Sequence, residues 1–231
     1  MANQMHIAHS DWIQGAGIIA AGPNYCAQNS LTTALSECIG SPKKPLDLAK
    51  INQQIQKWEG AQKIRPLRHL KDDKVWILAG TKDQKVSTNV VNKLKEQYAA
   101  WVPESQIKYE STKAFAHHFP TRNQGSDCAK SESPFIGQCG FDAAGEILSH
   151  LYADISSPGK ADDSRIKRIP TKQLPNDLGD TLGENAYAYV PASCEQGATC
   201  QLHIAFHGCN QNETAIGQQF IQKTGYNRWA E

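Results

Sequence analysis

The chain has 231 residues, enough for one α/β domain with a substantial core. Lys+Arg 24 against Asp+Glu 23 leaves a formal charge of +1, which provides no footprint for a nucleic acid or another polyanion. A hydrophobic fraction of 39% with 20% charged is that of a globular protein, and no window approaches 18 uninterrupted apolar residues, so no membrane span is predicted.

Taken in order, Met1, Met5, Ile7, Ala8 and Trp12 recur at roughly helical spacing, with no N-cap before them. Gly15 to Gly22 reads as a buried strand ended by Gly22-Pro23, and Cys26 to Cys38 as a capped loop or short helix. Pro45 to Gly60 is an amphipathic helix through Leu46, Leu48, Ile51, Ile55 and Trp58. Val75 to Leu78 is a run of β-formers bounded by Gly80, a buried strand whose end spills into Gly80-Thr-Lys-Asp83. Val86 to Tyr98 returns to helical spacing, Ile107–Tyr109 is a short strand, and Gly140 to Tyr152 is another helix. Residues 153–184 are polar, Pro/Gly-bearing and aperiodic, and are expected to be a long connection within a single domain spanning 1–231. Ala186–Val190 and Gln201–Phe206 are β runs, expected to pair as a hairpin around a tight Cys194–Cys200 loop, and Ala215 to Trp229 is a last helix.

Seven cysteines are the informative count. Cys26 and Cys38, Cys128 and Cys139, and Cys194 and Cys200 make three sequential short-range pairs, each around a polar loop, as disulfides in an oxidising compartment would. The rival reading is zinc, for which no C-x-x-C or paired-histidine spacing is present. Cys209 is left over. The N-terminus has neither the basic region nor the apolar run of a signal peptide, so either the cysteines are reduced or the export signal lies elsewhere.

Three stretches carry chemistry. Asp83 lies on the loop at the C-terminal end of a buried strand, where α/β sheets place their ligands; it either orients a histidine or shapes its own turn. His117 and His118 stand in a short apolar loop and either supply a general base or serve structure. His207-Gly208-Cys209 follows an apolar stretch and matches a turn that offers a backbone N–H to an oxyanion, although a lone His-Gly is also an ordinary strand exit. Acid followed by histidine is the α/β-hydrolase order, but no serine stands in a Gly-x-Ser-x-Gly frame.

At this point the chain resembles a family. Gly15-Ala-Gly-Ile-Ile-Ala-Ala-Gly-Pro-Asn-Tyr-Cys-Ala27, Gly80-Thr-Lys-Asp83, His117-His-Phe-Pro-Thr121 and Cys139-Gly-Phe-Asp-Ala-Ala-Gly145 are similar to stretches of secreted poly(3-hydroxybutyrate) depolymerases. Tyr189-Val-Pro-Ala-Ser-Cys194, Cys200-Gln-Leu-His-Ile-Ala-Phe-His-Gly-Cys209 and Gly225-Tyr-Asn-Arg-Trp-Ala230 continue the resemblance in the same order over nearly the whole chain. The resemblance is to the circularly permuted catalytic domain and implies an α/β-hydrolase fold, incomplete at both ends.

It also implies Asp83 as triad acid, His117 as triad base and Cys209 as the residue whose N–H serves the oxyanion hole; Ala116 stands where glycine is usual, and His118 is the second choice. Residues 153–184 would bridge the ancestral ends. The nucleophile of the family's Gly-Leu-Ser-Ser-Gly-Gly-Tyr-Met elbow is expected just upstream of Met1, and a cysteine downstream as partner of Cys209, so the chain by itself is expected to be inactive. The implied activity is serine-type hydrolysis of poly(3-hydroxybutyrate) or short-chain hydroxyalkanoate esters in the extracellular space or periplasm. It needs no cofactor or metal, and no nucleic-acid or membrane partner. The alternatives are a related feruloyl or acetylxylan esterase and a non-catalytic polyester-binding relative.

Overall fold

A computed structural model describes residues 1–42, 46–173 and 182–231. In chain order the elements are α1 (Ala2–Ala8), β1 (Gly15–Ile19), α2 (Leu31–Thr33, running into a π-turn over Ala34–Cys38), α3 (Leu48–Gly60), β2 (Lys74–Leu78), α4 (Thr88–Tyr98) and β3 (Ile107–Glu110). They continue with β4 (Phe119–Thr121), β5 (Ser126–Asp127), β6 (Ile136–Gln138), α5 (Ala143–Leu151), β7 (Ile166–Pro170), β8 (Asn185–Tyr189), α6 (Ala192–Glu195), α7 (Glu213–Ile216), α8 (Gln219–Lys223) and α9 (Tyr226–Ala230).

The organising sheet is parallel, in the order β1-β2-β3. Its centre is β2, whose Val75, Trp76, Ile77 and Leu78 are all fully buried. A strand covered on both faces needs apolar side chains pointing both ways, which is why the sequence runs continuously apolar there. Alternation sorts them: Val75 and Ile77 meet Ile51 and Ile55 of α3 and Val91 and Leu94 of α4 in one cluster, while Trp76 and Leu78 meet Ala143 and Ile147 of α5 and Phe115 in another. Helices on both faces of a parallel sheet make the α/β-hydrolase-like architecture that the sequence predicts.

Local chemistry explains the helix starts. Asp47 accepts from the Lys50 N–H at 3.0 Å to cap α3, and Asp142 accepts from the Gly145 N–H at 3.0 Å to cap α5. The other Asp142 oxygen accepts from Trp229 Nε1 at 3.2 Å, so one carboxylate caps α5 and docks α9. Glycine in β1 answers close packing: a Cβ on Gly17 would stand 2.5 Å from an Ile147 methyl.

Several expectations need correction. The hairpin does not form: β8 pairs antiparallel with β7, from Ile166 opposite Tyr189 to Pro170 opposite Asn185, and Gln201–Phe206 is extended but belongs to no sheet. β7 lies inside 153–184, so that connection carries structure; its residues 174–181 are outside the described residues, as is Pro45. The single last helix is three short ones, interrupted at Gly217 (φ 59°) and Gly225 (φ 94°), a backbone region that side-chain-bearing residues resist. The first helix stops at Ala8 rather than near residue 13.

The cysteines pair as the spacing suggests: Cys26–Cys38, Cys128–Cys139 and Cys194–Cys200 are disulfides, and Cys209 is free and exposed. Among the described residues no group of three or more potential ligands stands close enough to hold a metal ion, and no helix is long and apolar enough to cross a membrane.

Candidate active site

Asp83 closes the turn that leaves β2, its N–H donating to the Gly80 carbonyl at 3.1 Å. Its two oxygens make different contacts. Oδ1 accepts from the backbone N–H groups of Lys85 (2.7 Å) and Val86 (2.9 Å) and so shapes the turn. Oδ2 meets His117 Nδ1 at 2.8 Å. The Asp83 side chain is fully buried, whereas the His117 side chain is 34% exposed. A carboxylate oxygen accepts, so this contact suits the tautomer with the proton on His117 Nδ1, and His117 Nε2 has no hydrogen-bond partner among the described residues.

Backbone bonds hold the two partners in register. Thr81 and Lys82 N–H donate to the carbonyls of Lys113 and Phe115, which runs the histidine segment alongside the acid's turn. That approach requires Gly80, because a Cβ there would lie 2.3 Å from the Phe115 oxygen. On the far side, the His117 N–H donates to Ser131 Oγ at 3.0 Å, Ala116 N–H to Cys128 O at 2.9 Å and Phe119 N–H to Phe135 O at 2.8 Å. The loop from Cys128 to Cys139, closed by its disulfide, is therefore a saddle under the histidine.

His118 takes a different path. It is buried, its Nε2 bonds the Lys130 carbonyl, and its Nδ1 has no partner. Of the two histidines it is His117 that meets Asp83.

The His207-Gly208-Cys209 turn comes to the same place. A cavity of about 770 Å³ is lined by residues that include Met1, His117, Phe119, His207, Gly208 and Gln211. Cys209 follows Gly208 and is exposed, and its backbone N–H finds no acceptor among the described residues. His203, also in the cavity lining, packs on Tyr226 with ring centres 4.8 Å apart, and its Nδ1 lies 3.3 Å from the Tyr152 hydroxyl; burial pulls its pKa down to about 4.

His117 and Gly208 line one cavity, with Asp83 buried behind His117 and Cys209 following Gly208. The arrangement offers a polarised general base and an unengaged backbone donor, the apparatus of acyl transfer by an activated hydroxyl. Two contributors escape sequence reasoning. Ser131 lies in a polar span without periodicity, and Gln211 follows the predicted turn by two residues with no motif to mark it.

No protein-family model matches the chain. It is 35% identical to "Poly(3-hydroxybutyrate) depolymerase" of Delftia acidovorans, over all of this chain and 47% of that protein. It is also 35% identical to "Polyhydroxybutyrate depolymerase" of Talaromyces funiculosus, over all of this chain and 68% of that protein. The chain thus spans between about half and two thirds of the length of these curated relatives. Among solved structures, a PHB depolymerase from Penicillium funiculosum superposes with a TM-score of 0.88 at 33% identity, covering 98% of this chain and 71% of that one. A serine-to-alanine PHB depolymerase complexed with an R3HB trimer gives a TM-score of 0.89 with the same identity and coverage.

Proposed function

This chain belongs to the polyhydroxybutyrate depolymerase family, and from that premise we propose that it forms the body of a serine-type carboxylic ester hydrolase acting on poly(3-hydroxybutyrate) or short-chain hydroxyalkanoate esters. The observation that carries the reading is the 2.8 Å contact of buried Asp83 with Nδ1 of His117, a residue that lines the cavity. The relative that binds an R3HB trimer supports the substrate class.

In this reading a serine hydroxyl attacks the ester carbonyl while His117 Nε2 takes its proton. Among the described residues no serine hydroxyl bonds the His117 ring. The Cys209 N–H receives the developing oxyanion, a contribution of roughly 10²–10³ in rate for a well-placed donor. The protonated His117 then gives its proton to the departing alkoxide, freeing the hydroxyl end of the polymer. Water, deprotonated by the same histidine, releases the acyl group and restores the serine. Asp83 holds the Nδ1–H tautomer and stabilises the imidazolium. Three disulfides suit an extracellular or periplasmic site of action.

The test uses the full-length protein on poly(3-hydroxybutyrate) film and on a p-nitrophenyl acyl ester. Both substrates should be hydrolysed, and His117→Ala should lower kcat at least 10³-fold. Film binding without any ester turnover would point instead to a polymer-binding protein, and turnover surviving His117→Ala would remove the histidine from the mechanism.

A further inference from the structure

Gln211 is buried, and its side-chain amide is fully engaged. Its Oε1 accepts from the Gly208 N–H at 2.9 Å, the residue immediately before Cys209. Its Nε2 donates to two carbonyls of the Cys128–Cys139 loop, Pro134 O at 3.2 Å and Phe135 O at 2.9 Å. The Gln211 N–H returns to Gly208 O at 3.0 Å, closing a tight turn over Cys209 and Asn210. The carbonyl acceptor Phe135 O also receives the Phe119 N–H, and the same loop supplies Ser131 Oγ to the His117 N–H. One loop is therefore hydrogen-bonded to the histidine segment on one side and, through a single amide, to the Gly208-Cys209 turn on the other.

We propose that Gln211 is the positioning residue of the oxyanion site: it clamps the Gly208-Cys209 turn to the loop that seats His117, and so fixes the Cys209 N–H relative to the base. The inference rests on the ester-hydrolase reading above. The chemistry suits glutamine in particular. An amide presents one acceptor and two N–H donors at once, and all three directions are used here. Gly208, Cys209 and Asn210 are exposed and belong to no helix or strand, so little else determines where that N–H points. A transition-state donor displaced by a fraction of an ångström loses much of its effect while substrate binding hardly changes.

The experiment compares Gln211→Ala and Gln211→Glu with the parent in the full-length protein, on the p-nitrophenyl acyl ester. Gln211→Glu keeps the volume and the acceptor but loses both donors. Both variants should lower kcat about 10- to 100-fold with KM within threefold, and should weaken a boronic-acid transition-state analogue by a comparable factor. Fold is checked by circular dichroism and thermal unfolding. If Gln211→Ala does not fold, Gln211→Glu alone decides. If neither folds, Gln211 is a residue of core stability and the assignment fails. Parent-like kcat and inhibitor affinity in a folded variant, or a change confined to KM, also overturns it. His117→Ala in parallel separates the two claims. If that variant is active, His117 is not the base and the Ser-His-Asp mechanism has failed; if it is dead while the folded Gln211 variants are parent-like, only the clamp has failed.

Discussion

Asp83 meets His117 across 34 residues of sequence with an Oδ2–Nδ1 distance of 2.8 Å, while its other oxygen is held by the backbone of Lys85 and Val86. The carboxylate is thus held by its own turn as well as by the histidine. Asp83→Asn keeps the shape but permits the amide to donate, which favours the wrong imidazole tautomer. We predict a fall in kcat of about 10³–10⁴ with KM little changed, read from steady-state kinetics on a soluble acyl ester.

A second acid–histidine pair lies in the core and has nothing to do with the cavity. His6 Nε2 meets Asp73 Oδ2 at 3.0 Å, and His6 Nδ1 meets the Tyr98 hydroxyl at 3.1 Å. All three residues are buried, and burial holds the Tyr98 hydroxyl in its protonated form by raising its pKa. Replacing His6 by Phe leaves the Asp73 carboxylate short of a partner in a poor solvent. The expected loss is about 3–5 kcal/mol in urea unfolding. Adding Asp73→Asn to His6→Phe should recover part of that loss, because the uncompensated charge is then gone.

The His203 ring gives a pH prediction whose sign follows from its environment. Its folded pKa, about 4, lies below the ordinary value of 6.5, so the unfolded chain binds the proton more readily. Stability from this residue is present above pH 6.5 and is lost as pH falls from there toward 4. The displacement corresponds to roughly 3 kcal/mol at most, and partial exposure of the ring reduces it to the order of 2. Measured between pH 7.5 and 4.5, the parent should lose that much more stability than His203→Gln. Identical pH slopes for the two proteins would refute the assignment.

Gly80 should be intolerant of any side chain. A Cβ placed 2.3 Å from the Phe115 carbonyl must push the histidine segment away from the Asp83 turn. Gly80→Ala should cost on the order of 2 kcal/mol in stability and at least tenfold in kcat. A crystal structure of the variant should show the Asp83–His117 distance lengthened.

The sequence reveals the parts that local physics determines and hides those that depend on distant partners. Val75–Leu78 declares itself because only a strand covered on both faces tolerates an uninterrupted apolar run, and the three disulfides are legible from cysteine spacing. Gln201–Phe206 has the composition of a strand, yet Leu202 is 78% exposed, because β character needs a hydrogen-bonding neighbour that composition does not supply. The actual partner of β8 carries Lys167 and Arg168 on an exposed surface and looks like loop. In the site, position on a strand end and acid-to-histidine order suggest Asp83 and His117, and the family resemblance separates His117 from His118. Gln211 leaves no trace at all, since its three hydrogen bonds reach carbonyls and an N–H that any sequence would provide.

The bridge from Gln211 to Phe135 closes a span of 76 residues, more than twice the 34 between Asp83 and His117. Long closures are assembled late, because their entropy must be met before their bonds form. A polypeptide emerging from its N-terminus can join acid to base well before the 208–211 turn exists. On the proposed reading, esterase turnover of the full-length protein is a late reporter on refolding: tryptophan fluorescence, to which buried Trp76 contributes, should recover first, and turnover should follow only when the 208–211 turn has docked.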